Sequence, residues 1–288
     1  MQSKEVLKIA IQKSGRLSED SIKLFKECGI KFDVGKSKLK STSRNFPAEF
    51  LFLRDDDIPG YVEDGVADLG IVGNNVLVEH KKEVETVKEL GFSKCRLSLA
   101  VPREIEYENV SYFEGKSIAT SYPNILQAYL DEQKVSAQIH EISGSVEIAP
   151  GIGLAEGVCD IVSSGGTLLS NGLKEVDVIF RSEAVLIANK KLSEAKTQLL
   201  NKVVFRINAV QKAQNHKYIL LNAPNDKLDH IISKLPGMRS PTVLPLAQSG
   251  WSSVHSVLQE NEFWDSIEEL RAAGAEGILV VPIEKMIY

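Results

Sequence analysis

Apolar residues in this chain fall into short β-branched runs, and between the runs lie stretches with helical spacing. VLKIAIQ (6–12) is the first run; polar KSGRL follows, and SEDSIKLFKECG then sets Leu24 and Cys28 one turn apart, behind a Ser18 cap and before a Gly29 stop. The order is strand, loop, helix. It recurs: EFLFLR (49–54) leads to DDIPGYVEDGVA, DLGIVG (68–73) to NNVLVEHKKE, KSIATS (116–121) to YPNILQAYLDEQ, and AQIHEIS (137–143) to GSVEIAPGIGLAEG. Such alternation predicts parallel βαβ units with helices over the sheet faces. Ligands on these sheets collect beyond the carboxyl ends of the strands, which singles out the loops KSGRL, RDDD, VGNN, TSYPN and SSGGT.

After residue 180 the rhythm changes. SEAVLIAN (182–189) reads as one more strand, and EAKTQLLNKVVFRINAVQ places Leu199, Val203, Ile207 and Val210 on one stripe of a long amphipathic helix. From 217 the order is KYILLNAP, a helix carrying Leu228, Ile231, Ile232 and Leu235, TVLPLA, WSSVHSVLQ, a helix carrying Phe263, Ile267 and Leu270, and GILVVPI. That is βαββαβ, the order of a ferredoxin-like unit.

Composition narrows the class. With 288 residues, 43% of them hydrophobic and 25% charged, the chain is expected to form two or three globular domains. No apolar run approaches the roughly 18 residues of a membrane span, and the N-terminus lacks the basic flank and long apolar core of a secretory signal, so a cytoplasmic protein is expected. Cys28, Cys95 and Cys159 are far apart and in no CxxC spacing, which predicts three buried small hydrophobes rather than disulfides or a zinc cluster. A formal charge of -5 argues against a nucleic-acid partner.

The strongest chemical signal is CDIVSSGGTLL. Val158 to Val162 read as a buried parallel strand, so SSGGT falls in the loop at its carboxyl end. Gly165 and Gly166 let the backbone approach an anion, and Ser163, Ser164 and Thr167 add hydroxyl donors to the exposed N–H groups. Asp160, just before the loop, suits sugar hydroxyls as an acceptor, so the pair points to a sugar phosphate. No GxxxxGK[ST] occurs, which excludes a nucleotide P-loop. The plainer alternative is a Gly-rich turn without a ligand.

The wider stretch EIAPGIGLAEGVCDIVSSGGTL (147–168) resembles the signature of the ATP phosphoribosyltransferases of histidine biosynthesis: a Glu, Gly153 six residues on, a small residue at 155, the strand with Asp160, and the loop ending in Thr167-Leu168. KIAIQKSGRLSEDS, FLRDDDIPGYVEDGVADLGIVGNNVL, CRLSLAVP, GKSIATSYPNIL, FRSEAVLI, SPTVLPLA and GILVVPIEKM extend the likeness over most of the chain. The last 70 or so residues resemble the C-terminal regulatory domain of the family's long form.

The resemblance implies transfer of phosphoribosyl from phosphoribosyl pyrophosphate to N1 of ATP, with Mg2+ as cofactor and histidine as inhibitor. It implies two lobes like those of periplasmic solute-binding proteins, lobe I from 1–96 and 180–215 and lobe II from 97–179, followed by the regulatory domain at 217–288. Homo-oligomers, dimers and hexamers, are expected. On that reading the catalytic residues are Asp160, Arg16 and Glu147, with Asp160 and Glu147 at the ribose hydroxyls and the loop Ser163, Ser164, Gly165, Gly166 and Thr167 at the 5-phosphate. Lys13, Arg16 and Arg54 take the polyphosphate groups, Tyr122 flanks the purine, and Asn75 lies near the ligand. Thr242 is the regulatory-site candidate. No metal ligand or general base is assigned; the adenine nitrogen is already a lone-pair nucleophile.

Plainer readings stand beside these. Asp57 can cap a helix starting at Ile58, with Pro59 in its first turn, which would make Asp55 to Asp57 a solvated helix start rather than a magnesium site. Glu147 can be a first-turn acid favoured by a helix dipole, and Thr242 a strand-start hydroxyl. The five histidines, without ligand spacing, read as surface or structural residues, and Trp251 and Trp264 as packing within the C-terminal module or an oligomer contact. A non-catalytic solute-binding protein, a ligand-sensing regulator and a silent paralogue of the transferase are the competing functional classes.

Overall fold

The computed structural model describes residues 5–35, 39–235 and 240–287. It divides into two compact units, one formed by the chain up to Lys26 with Ile30–Leu200, the other by Glu27–Gly29 with Asn201 onwards. In chain order the first unit runs β1 (Leu7–Gln12), α1 (Arg16–Glu27), β2 (Lys40–Thr42), β3 (Ala48–Leu53), α2 (Ile58–Glu63), β4 (Leu69–Gly73), α3 (Asn74–His80) and β5 (Glu85–Glu89). It continues through β6 (Cys95–Pro102), β7 (Ser117–Thr120), α4 (Pro123–Gln133), β8 (Gln138–Glu141), β9 (Gly157–Val162), α5 (Gly166–Ser170), β10 (Leu173–Ser182) and β11 (Ala184–Ala188).

These strands make two sheets, ordered β2-β3-β1-β4-β11-β5 and β10-β6-β9-β7-β8. Each has a parallel heart: β1 lies between β3 and β4 in one, β7 between β8 and β9 in the other. The remaining pairs, β2 with β3, β11 with β4 and β5, and β6 with β9 and β10, are antiparallel, so the expected parallel βαβ units sit within mixed sheets. The apolar runs behave as strands covered on both faces: β11, AVLIA, is buried throughout. Phe25 of α1 closes edge-on over Phe50 of β3, and Phe32 stacks on Phe50 at 3.7 Å, anchoring the helix layer on the first sheet.

Four predicted details change. α1 begins at Arg16, directly after Gly15 turns the chain at φ 95°, so Ser18 is a buried residue of the first turn rather than the cap. Asp57 does precede α2, but Asp55–Asp57 form a 3-10 turn that puts its backbone in the αR region, and its side chain makes no cap bond. GSVEIAPGIGLAEG forms only a 3-10 turn at Val146–Ile148, because Pro150, Gly151 and Gly153 prevent a helix. Cys28 and Cys159 are buried as expected, whereas Cys95 is half-buried.

In the second unit α6 (Glu194–Gln214), which begins within the first, is followed by β12 (His216–Pro224), α7 (Leu228–Ser233), β13 (Thr242–Pro245), β14 (Trp251–Gln259), α8 (Glu260–Ala272) and β15 (Glu276–Pro282). The sheet order β13-β14-β12-β15 is antiparallel throughout, which with the βαββαβ chain order makes a ferredoxin-like unit. Its core joins Ile219 and Leu221 of β12, Val254 and Leu258 of β14, and Ile231, Phe263 and Leu270 of the helices. Of the expected stripe on α6, Val203, Ile207 and Val210 are buried and Leu199 is half-buried. Trp264 is 64% exposed with its ring edge-on to Phe263, so it does not pack into the module. Among the described residues no helix is long and apolar enough to cross a membrane.

Candidate active site

The topology fixes where a ligand belongs. From β1 the chain moves to β3 on one side and then to β4 on the other; from β7 it moves to β8 and then to β9 on the opposite side. Each parallel heart thus reverses direction at its first strand, and the crevice beyond such a reversal is where open α/β sheets bind ligands. Residues after β1 (Lys13, Arg16) and β4 (Asn75) border one reversal, and those after β7 (Tyr122) and β9 (Ser163 to Thr167) border the other.

The two crevices share one cleft. An open-mouthed space of about 200 Å3 is lined by Gln12, Arg16, Asp55 and Asn75 from the first sheet's side and by Tyr122 and Ser163 from the second's. Arg16 Nη1 reaches Ser163 Oγ at 3.4 Å across it. Such a volume suits a reacting centre rather than two whole nucleotide-sized ligands, so the remainder of any large substrate lies towards solvent. There the exposed Lys13 and Arg54 stand, each next in sequence to a lining residue. The Lys13 amide donates to the Leu53 carbonyl at 2.8 Å, which ties the two loops together.

Asn75 is buried at the start of α3. Its amide N–H donates to Ser182 Oγ at 3.0 Å, the Ser182 hydroxyl donates to Asn75 Oδ1 at 2.8 Å, and Asn75 Nδ2 donates to the Tyr122 hydroxyl at 3.3 Å. Burial, reinforced by the negative charges of Asp160, Asp56 and Asp55, pushes the Tyr122 phenol well above its usual range and keeps it neutral.

Asp160 stands one residue before the exposed Ile161 in β9. Burial raises its carboxyl to about 6, opposed by the Ile161 N–H, which it accepts at 2.7 Å, and assisted by the charge of Glu147. Glu147 therefore faces the same region, from a single 3-10 turn too short to offer the helix dipole of its plainer reading. An acceptor whose ionised form is under-solvated is prepared for donors that arrive with a ligand.

Ser163, Ser164, Gly166 and Thr167 are exposed, while Leu168 is buried and fixes the loop to the sheet. Gly165 sits at φ 82°, a left-handed conformation that a side chain strains. This turn starts α5 directly, so the loop presents both hydroxyls and the first amides of a helix.

Among the described residues no group of three or more metal-ligating side chains is assembled. Asp55, its carboxyl raised by burial and by Asp56, lines the cleft, and Asp160 stands beside the lining residue Ile161. That set fits magnesium arriving on phosphate oxygens with few protein ligands, the usual habit of this ion.

Sequence reasoning missed several residues. Lys94 and the half-buried Cys95 line the cleft; Ser182 holds Asn75; Arg96 pairs with Glu175 and reaches the phosphate-loop candidate. All sit on β6, on β10 or just before β6; β6 alternates Leu97, Leu99 and Val101 with Arg96 and Ser98 as an ordinary strand does, and β10 mixes apolar and charged residues, so neither marks a ligand site in the sequence. Thr242 is the exposed first residue of β13, opposite His255, whose ring bonds the Tyr218 and Ser253 hydroxyls at 2.8 and 3.0 Å.

Fold and site together define a two-lobed α/β protein with a polar cleft between the lobes and a ferredoxin-like module at its C-terminus. Residues 54–209 match the family described as ATP phosphoribosyltransferase, and residues 213–285 match its C-terminal domain. The chain belongs to the ATP phosphoribosyltransferase family, in the long form that carries this domain. It is 61% identical to the ATP phosphoribosyltransferase of Cytophaga hutchinsonii over 98% of this chain and 99% of that one, and 58% identical to that of Phocaeicola vulgatus over 98% and 100%. Among solved structures, an ATP phosphoribosyl transferase (HisG:HisZ) complex from Thermotoga maritima aligns with TM-score 0.59 and 30% identity, covering 70% of this chain and 98% of that chain.

Proposed function

We propose that this cleft transfers the phosphoribosyl group of phosphoribosyl pyrophosphate to N1 of the adenine of ATP, the first step of histidine biosynthesis. The bond from ribose C1 to pyrophosphate breaks, the bond from C1 to N1 forms, and pyrophosphate leaves. The observation that carries the reading is the meeting of Arg16 with Ser163: a cation from one lobe stands against the hydroxyl- and glycine-rich loop of the other, at the reversal point of both sheets.

As C1 gains oxocarbenium character and charge builds on the departing diphosphate, catalysis reduces to alignment and charge neutralisation. The loop Ser163 to Thr167 holds the 5-phosphate, and Asp160, with Glu147 beside it, accepts the ribose hydroxyls. Arg16 meets the leaving pyrophosphate; Lys13 and Arg54 draw the triphosphate to the open mouth. Tyr122, neutral and oriented by Asn75, flanks the adenine. Magnesium would supply further neutralisation of the leaving group's charge, with Asp55 and Asp160 the carboxylates available to help hold it.

The C-terminal module, complete as a ferredoxin-like unit, is the seat we assign to inhibition by histidine, with Thr242 at its site. We further expect dimers and hexamers of this chain in the cytoplasm.

Initial rates of Asp160→Asn and Thr167→Val test the sugar-phosphate assignment. Each should raise KM for phosphoribosyl pyrophosphate by about tenfold or more, the loss of one hydrogen bond to a charged group; wild-type kinetics in both would remove it.

A further inference from the structure

Glu79, in the last turn of α3, is a carboxylate only 6% exposed. Its Oε1 accepts the backbone N–H of Asn124 at 2.9 Å and the Asn124 side-chain amide at 3.0 Å, and its Oε2 accepts the backbone N–H of Ile125 at 3.0 Å. The Glu79 carbonyl takes the same side-chain amide at 3.2 Å, and Lys81 donates to Asn124 Oδ1 at 3.0 Å.

Those amides belong to the first turn of α4, an eleven-residue helix whose own N-cap residue, Tyr122, makes no side-chain cap bond. α3 follows a strand of the first sheet and α4 a strand of the second. One lobe therefore supplies the cap for a helix of the other. Burying a carboxylate is expensive unless N–H donors and a helix N-terminus face it, and here both do.

The same helix makes a second hold. Residues four apart share a face of an α-helix, and four residues before Glu79 stands Asn75, bonded to the Tyr122 hydroxyl at 3.3 Å. α3 thus grips Tyr122 by its phenol and the turn that follows it by its amides.

We propose that Glu79 is a positioning residue that pins the start of α4 to α3, so that Tyr122 stands fixed on the cleft wall whether or not substrate is present. This edge of the cleft stays shut while the lobes adjust elsewhere, where the exposed Arg16–Ser163 contact at 3.4 Å is the looser tie. The proposal rests on the reading that ATP lies against Tyr122.

Glu79→Gln in the full chain keeps the shape but removes the charge and turns an amide towards the α4 donors. Two measurements decide. Hydrogen exchange in the first turn of α4 should quicken by about tenfold relative to its last turn, and the Kd and KM for ATP should rise by about tenfold while kcat and the KM for phosphoribosyl pyrophosphate stay within about twofold, the size of one lost hydrogen bond to a charged group. Asn124→Ala, which spares both backbone bonds, should move ATP affinity the same way by about threefold, and it decides the matter if Glu79→Gln does not fold. Unchanged exchange and ATP affinity, or equal losses for both substrates, would overturn the proposal. A wild-type protein without pyrophosphate release, whose Glu79→Gln variant still loses ATP affinity, would instead strike the transferase reading and leave the pin standing.

Discussion

Arg96 grips Glu175 through two parallel hydrogen bonds of 2.5 Å, Nε to one carboxylate oxygen and Nη2 to the other, and its Nη1 reaches the carbonyl of Ser163 at 3.3 Å. The Ser98 hydroxyl adds a bond of 2.7 Å to Glu175, and Arg96 holds that carboxyl below the usual range. The fork joins neighbouring strands β10 and β6 to the loop that follows β9.

A lysine at this position cannot make two parallel bonds and still reach Ser163. Arg96→Lys is therefore expected to raise KM for phosphoribosyl pyrophosphate by about fivefold, the value of one such bond, with KM for ATP and the melting temperature little changed. Equal KM values for wild type and variant would show that the fork does not hold the loop.

Asp160 predicts a pH dependence. With its carboxyl raised to about 6 by burial, the substrate-free enzyme keeps it protonated in mild acid, so kcat/KM for phosphoribosyl pyrophosphate should fall as pH drops through about 6. Stability runs the other way. Below the ordinary value of 3.8 the group is protonated folded and unfolded alike; as pH rises to about 6 the unfolded chain ionises first, and folded stability is lost. Asp160→Asn should then be more stable to unfolding than wild type at pH 8, by up to about 3 kcal/mol, with the gap closing below about pH 4. A gap independent of pH, measured by denaturant titration, would contradict the buried carboxyl.

Gly73 leaves room for Asn75. A Cβ there would lie 2.4 Å from Asn75 Oδ1, the atom that accepts the Ser182 hydroxyl. Gly73→Ala is expected to displace this amide, free the Tyr122 hydroxyl and weaken ATP binding by about fivefold, which calorimetric titration would detect; unchanged affinity would dissociate Asn75 from the nucleotide.

Removing residues 217–288 should abolish inhibition by histidine while the cleft retains its residues. A truncated enzyme still inhibited by histidine would place the effector elsewhere.

Local patterns in the sequence exposed much of this. The β-branched runs at Leu7, Phe50, Leu69 and Ile118 marked the parallel strands, their loops marked Arg16, Asn75, Tyr122 and Ser163, and the last third showed its βαββαβ order. What stayed hidden depends on distant partners. β10, LKEVDVIFRS, carries four charged residues, and their purpose appears only in the fold, where Glu175 meets Arg96 and Asp177 meets Tyr107. Glu79 reads as one acid on a short helix until Asn124, 45 residues on, arrives above it. Arg96 and Ser163 are 67 residues apart.

The central claim is chemical transfer in the cleft, and release of pyrophosphate from the purified full chain with ATP, phosphoribosyl pyrophosphate and magnesium tests it most directly. Release that requires both substrates, is weakened in Asp160→Asn at pH 8 and falls when histidine is added is the predicted result. Binding of both ligands without pyrophosphate release would contradict it and make the protein a ligand-binding relative of the enzyme.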